Sequence, residues 1–162
     1  MNEFHKVKIR VLDENDLDAV VEIDKRVLGK ERRSFWKRKM AYAGIYPRPA
    51  LVAEVDKKIV GFILGSVSGW EFGVPDTVGW IDTIGVDPDF QRRGIGRALF
   101  NSLMDIFTIS GSQKTLETKE QEVEGVNIVY TLASWNDWDL LQFYHAMGLK
   151  KGEMMNLEMK MR

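Results

Sequence analysis

The stretch VDPDFQRRGIGRALF, residues 86–100, sets Arg92 and Arg93 against Gly94 and Gly96, between a strand-like run and a helix-like run. The first N–H groups of a helix have no partners inside it, and the aligned peptide dipoles place partial positive charge there. Gly94 and Gly96 lack Cβ and let a bulky anion approach the backbone, while Arg92, Arg93 and Arg97 surround it with cations. This chemistry suits a phosphate or pyrophosphate. A P-loop would need lysine and then serine or threonine after the last glycine, where Arg97 and Ala98 stand. A dinucleotide fingerprint would need glycine or alanine where Leu99 stands. The alternative without function is a tight turn with solvated arginines.

VDPDFQRRGIGRAL resembles the acyl-coenzyme A signature of the GNAT superfamily of N-acetyltransferases, Q/R-x-x-G-x-G/A. Gln91, Arg92, Arg93, Gly94, Ile95 and Gly96 match it position for position. DLLQFYHAMGLKKG resembles the family's later Tyr-x-x-x-Gly-aromatic segment, with Tyr144 at the tyrosine and Leu149 where phenylalanine is commoner. The resemblance implies an N-acetyltransferase with acetyl-CoA as co-substrate. It implies a strand through Ile84 and Val86 that opens from its neighbour to pair with the pantetheine arm, and a pyrophosphate held from Gln91 through Ala98. It points Tyr144 at the leaving sulfur as general acid and the Val86 amide at the oxyanion. It also points Asn136 at the distal part of the cofactor, a place Asp137 could equally take. Tyr144 can also be read as a core tyrosine on an apolar helix stripe.

Acyl transfer from a thioester to an amine needs a deprotonated amine, a stabilised oxyanion and a proton for the leaving thiolate. A phenol with a pKa of about 10 is protonated at neutral pH and able to donate. For the base, period-two reading of residues 78–86 puts Asp82 on one face with Val78, Trp80, Ile84 and Val86, where desolvation would raise its pKa. Asp82 is equally readable as a structural carboxylate paired with a cation, and a bulge would change its face. Glu71 is a second candidate. With no cysteine for an acyl-enzyme, the amine attacks directly in a ternary complex. The acceptor is then a primary amine of a small molecule, peptide or protein. Lys25, Arg26, Lys30, Arg32, Arg33, Lys37, Arg38 and Lys39 form a basic run that could attract an anionic acceptor or the coenzyme's phosphates, or be a solvated face. Trp36, Trp70, Phe72 and Trp80 could line the acceptor pocket or simply pack the core.

The elements that must position these residues follow from periodicity. A strand at 7–12 leads to a helix capped by Asp13 and stopped by Gly29, then a helix capped by Ser34 and running to Gly44. A hairpin pairs strands at about 50–55 and 59–68. A loop through WEFGVPDT enters the strand 78–86, and Ile95, Leu99, Leu103 and Ile106 mark one face of the helix after Gly94. A polar stretch, 110–125, precedes a strand in VNIVYTLAS, a helix begun by Asn136 or Asp137, and a last strand in EMMNLEMKMR. The expectation is an α/β (α+β) fold, a mixed, largely antiparallel sheet of about six to seven strands flanked by about four helices, in a single domain over 1–162. A net charge of -1 argues against nucleic-acid binding, and two separated histidines without cysteine against a metal site. The absence of a long apolar run argues for a cytoplasmic protein away from membranes. The family resemblance allows a homodimer, and leaves a non-catalytic acyl-CoA sensor or scaffold as the alternative function.

Overall fold

A computed structural model describes residues 6–42, 48–68, 78–110 and 126–161. The chain separates into two compact units, Met1–Thr131 and Leu132–Arg162. The first unit is built on five strands in chain order: β1 (Lys8–Val11), β2 (Ala50–Val55), β3 (Lys58–Ser68), β4 (Val78–Val86) and β5 (Ile128–Thr131). The first three pairings are antiparallel and β4 pairs with β5 in parallel, so the sheet is mixed as expected. Its helices are α1 (Leu17–Leu28), α2 (Arg33–Met40) and α3 (Ile95–Ser110).

Each face of the sheet has its own core. On one, Val20, Val21 and Ile23 of α1 and Trp36 of α2 pack with Ala50, Val52, Phe62 and Leu64. Burying one such side chain stabilises the fold by roughly 1.5–3 kcal/mol. On the other face lie Ile95, Leu99, Leu103 and Phe107, buried along the stripe that the helical period predicts. Beneath them Gly61, Gly65 and Gly79 leave the space that these side chains fill. Trp36 is fully buried, its ring 4.7 Å from that of Phe62, so it belongs to the core and does not line an acceptor pocket.

Local chemistry explains most element boundaries. Asp13 and Asp16 form a capping box around a 3-10 turn, Glu14–Asp16, that feeds α1. Arg10 of β1 grips Asp16 through two 2.7 Å bonds and reaches Glu54 of β2 at 3.0 Å. Gly29 ends α1 at φ 76°, the left-handed cap. Helix α2 starts one residue before Ser34, with Arg32 at its cap position, because Arg32 is held by two bonds to the buried Asp24 of α1. Helix α2 ends at Met40, with Ala41 as its C-cap, short of the Gly44 end that the sequence suggested. The loop WEFGVPDT and residues 111–125 lie outside the described residues.

The second unit holds α4 (Trp138–Ala146), capped by Asp137, whose Oδ1 accepts from the Leu140 N–H at 3.1 Å. Gly148 follows at φ 94°. The last strand expected in EMMNLEMKMR is not formed among the described residues, and the sheet has five strands where six to seven were expected. Met155, Leu157, Met159 and Met161 alternate as a strand face would, but all four side chains are exposed, so alternation had no buried surface to act on. No helix among the described residues is long and apolar enough to cross a membrane.

Candidate active site

The site starts where β4 outruns its neighbour. β4 pairs with β3 along its length, but with β5 only from Val78–Ile128 to Ile81–Thr131. The Thr131 hydroxyl donates to the Ile81 carbonyl at 3.0 Å and closes that ladder. From Asp82 to Val86 the outer edge of β4 carries no strand among the described residues of this unit. The Asp87 N–H donates to the Val60 carbonyl at 2.8 Å on the β3 side. Antiparallel ladders alternate, so the N–H groups of Ile84 and Val86 point to the open edge. The Val86 carbonyl accepts from Gln91 Nε2 at 3.1 Å, which folds the following loop back onto that edge.

Asp87 fixes this loop. Its carboxylate is buried, caps the 3-10 turn Pro88–Phe90 through the Asp89 N–H at 3.0 Å, and accepts from Arg26 Nη1 of α1 at 2.5 Å. Arg26 Nη2 reaches Asp89 at 3.1 Å, and Lys58 Nζ lies 3.7 Å from Asp87. Sequence reasoning missed all three of these pairings, Arg26 with Asp87 and Asp89 and Lys58 with Asp87. Asp-Pro at the end of a strand signals a turn, but nothing local signals a partner 61 residues away.

The chain then turns into α3 through Arg92 at φ 60° and Gly94 at φ 81°. The Ala98 N–H donates to the Gly94 carbonyl at 3.0 Å. The amides of Ile95, Gly96 and Arg97 therefore precede the first intrahelical donor. A Cβ at Gly94 would meet nothing within 4 Å, so a ligand can reach the backbone there. Gln91, Arg92, Arg93, Gly94 and Arg97 are exposed, Gly96 and Ala98 are half-buried, and Ile95 anchors the turn in the core. The Arg93 guanidinium lies 5.1 Å from the centre of the Phe90 ring. The predicted residues from Ile84 to Ala98 thus form one continuous run of open strand edge and helix mouth.

Asp82 departs from the period-two expectation. Leu64 pairs with Thr83 and Gly65 with Ile81, so Asp82 is the extra residue of a β-bulge. Val78, Trp80 and Asp82 face the α1–α2 side, whereas Ile84 and Val86, opposite Ile63 and Gly61, face α3. Nor do apolar neighbours surround the carboxylate. Its Oδ1 accepts from the Ser66 hydroxyl at 2.9 Å and its Oδ2 from Lys39 Nζ at 3.1 Å. A cleft beside it is lined by Lys39, Arg48, Pro49, Ala50, Leu64 and Gly65. Trp80 packs its ring 5.3 Å from Tyr130. Glu71, Trp70 and Phe72 lie outside the described residues.

In the second unit, Asp137 takes the capping role, which leaves the exposed Asn136 side chain outside that bond. Ser134, Asn136, Asp137, Trp138 and Asp139 line an open depression at the start of α4. Tyr144 is buried, its ring 5.5 Å from that of Phe143.

Comparison with known proteins identifies the class of fold that carries this strand edge and helix mouth. Residues 17–128 match the acetyltransferase (GNAT) family, and the chain belongs to that family. An uncharacterised N-acetyltransferase of Methanocaldococcus jannaschii is 30% identical over 147 residues, covering 86% of this chain and 85% of its own length. Two solved structures share the fold. The ribosomal-protein-alanine N-acetyltransferase of Brucella melitensis biovar Abortus 2308 is 18% identical, with a TM-score of 0.70 over 97% of this chain and 100% of that one. An aminoglycoside N-acetyltransferase in complex with CoA is 16% identical, with a TM-score of 0.72 over 99% of this chain and 98% of that one. The protein is an N-acetyltransferase that moves an acetyl group from acetyl-CoA to an amine.

Proposed function

We propose that residues 1–162 act as one catalytic domain that acetylates a primary amine, of a small molecule or of a peptide or protein, by direct attack in a ternary complex. The observation that carries this reading is the open edge of β4 at Ile84 and Val86, continuous with the amides of Ile95, Gly96 and Arg97, which have no partner among the described residues. The edge takes the pantetheine arm and the helix mouth takes the pyrophosphate, with Gln91, Arg92, Arg93, Gly94 and Ala98 around it. Asn136 contacts the distal portion of the cofactor.

Asp82 accepts the proton of the incoming ammonium, directly or through water. The neutral amine forms the new N–C bond, the Val86 amide steadies the oxyanion, and collapse expels the C–S bond pair onto sulfur. Tyr144 protonates that thiolate, a role given by its place in the Tyr-x-x-x-Gly segment. A thiol-release assay over amines and peptide N-termini tests the activity. Tyr144→Phe is expected to lower turnover by about 10²- to 10⁴-fold with CoA affinity kept, and unchanged turnover removes the acid role. The family resemblance leaves room for a cytoplasmic homodimer, whose dimeric state light scattering of the purified chain checks.

A further inference from the structure

The acceptor side of β4 is not electrically neutral. Three charged residues line the cleft beside the bulge: Lys39 at the end of α2, Arg48 just before β2, and Asp82. Lys39 and Asp82 are paired, 3.1 Å apart, and cancel. The Arg48 guanidinium has the Tyr42 ring at 5.8 Å and no carboxylate partner among the described residues. Elsewhere in this unit Arg10, Arg26, Arg32 and Arg33 each hold an aspartate. The Arg48 backbone is also steadied, because the carbonyl of Pro49 accepts from the N–H of Gly65, the residue opposite the bulge, at 2.9 Å. The positive balance continues along α2, where Lys37 and Arg38 are exposed and no acid stands in the helix.

We propose that the acceptor amine also carries an anionic oxygen group, a carboxylate or a phosphate, and that Arg48 selects it. This rests on the transferase reading and on Asp82 marking the acceptor side. A guanidinium presents a planar fork of N–H donors that matches either oxyanion, while the Asp82 carboxylate receives the ammonium end of the same molecule. A polycation such as an aminoglycoside or a polyamine meets Arg48, Lys37 and Arg38 with charge of the same sign. Likeness of fold to an aminoglycoside acetyltransferase therefore does not extend to the acceptor.

The test measures kcat/KM by thiol release from the full chain with two matched pairs, β-alanine against β-alaninamide and O-phosphoethanolamine against ethanolamine, with spermidine as the polycation. The anionic member of at least one pair is expected to win, and which pair shows it identifies carboxylate or phosphate. In Arg48→Gln the anionic-to-neutral ratio falls by about tenfold to a hundredfold, as loss of a charged hydrogen-bonding pair implies. Comparing ratios cancels the intrinsic reactivity of each amine. Arg48→Lys keeps part of the preference and Arg48→Glu shifts it towards spermidine, with CoA affinity by calorimetry reporting that each variant is folded. Equal use of both members of both pairs, preference for spermidine, or a ratio untouched by Arg48→Gln overturns the proposal. An enzyme that acetylates only neutral or polycationic amines overturns the acceptor class and leaves the transferase reading standing. One that binds no CoA and releases no thiol overturns both.

Discussion

Gly94 and Gly85 stand nine residues apart and are glycine for different reasons, which predicts different losses on substitution. Gly94 takes φ 81° with open space where a Cβ would be, so Gly94→Ala adds left-handed strain without a clash. The expected cost is about 1–2 kcal/mol of stability, with weaker CoA binding because the amides after it are displaced. At Gly85 a Cβ would lie 2.6 Å from Cζ of Phe62, which itself packs edge-on against the buried Trp36. Gly85→Ala must move that ring, at about 1–3 kcal/mol. Urea unfolding measures both costs, and calorimetry with CoA separates them: a larger affinity loss for Gly85→Ala than for Gly94→Ala would contradict the assignment of Gly94 to the anion site. Spacing and residue type alone made the glycine and arginine run readable in sequence. Asp82 was readable as a carboxylate on β4, either a base or the partner of a cation. Its face depended on a bulge and its partners, Lys39 and Ser66, on tertiary contacts that no local pattern encodes.

Two adjacent arginines at the start of α2 show what sets an element's edge. Arg32 makes two bonds to Asp24, which is 1% exposed, whereas Arg33 meets Asp18 where both side chains are largely in water. Removing Arg32 strands a buried carboxylate, so Arg32→Ala is expected to cost about 3 kcal/mol, against less than about 1 kcal/mol for Arg33→Ala. Equal losses in chemical denaturation would refute this ranking. The same ion pair explains why Ser34, a good cap by residue type, is not the cap. A buried charge pair outweighs a single side-chain to backbone bond. Asp13 and Gly29, whose roles are local, sit where the sequence pattern puts them.

The link between β1 and α1 carries a pH dependence of known sign. Burial pushes the Asp16 carboxyl upward, but bonds from Arg10 and from the Asp13 N–H outweigh it and hold its pKa below the usual value. Its stabilisation is therefore complete above the unfolded carboxyl value and is lost as pH falls through the lower folded value. Asp16→Asn is expected to destabilise by about 1.5–3 kcal/mol at neutral pH, with the gap to the parent closing below about pH 4. A gap that stays constant from pH 7 to pH 3 would show that Arg10 does not depend on the charge of Asp16.

For the whole molecule, β4 and the turn into α3 bring a strand edge, a buried aspartate and a row of helix amides onto one connected path, held to α1 by Arg26. A ligand on that path binds the folded chain and not the unfolded one, so it must raise the melting temperature. At a hundredfold excess over Kd the gain is about 2.7 kcal/mol, or roughly 5–10 °C for a chain of this size. How the shift responds to salt tells backbone from side chain. Arg92, Arg93 and Arg97 are exposed, and their attraction for phosphate is screened when the Debye length shrinks to about 3 Å at 1 M salt. Hydrogen bonds that the amides of Ile95, Gly96 and Arg97 would give the phosphates form at contact and are expected to persist. Differential scanning fluorimetry with CoA is therefore expected to show a shift that 1 M KCl reduces but does not abolish, and that Gly94→Ala reduces at every salt concentration. A shift that vanishes in salt, or survives undiminished in Gly94→Ala, would move the binding energy from the helix mouth to the arginine side chains.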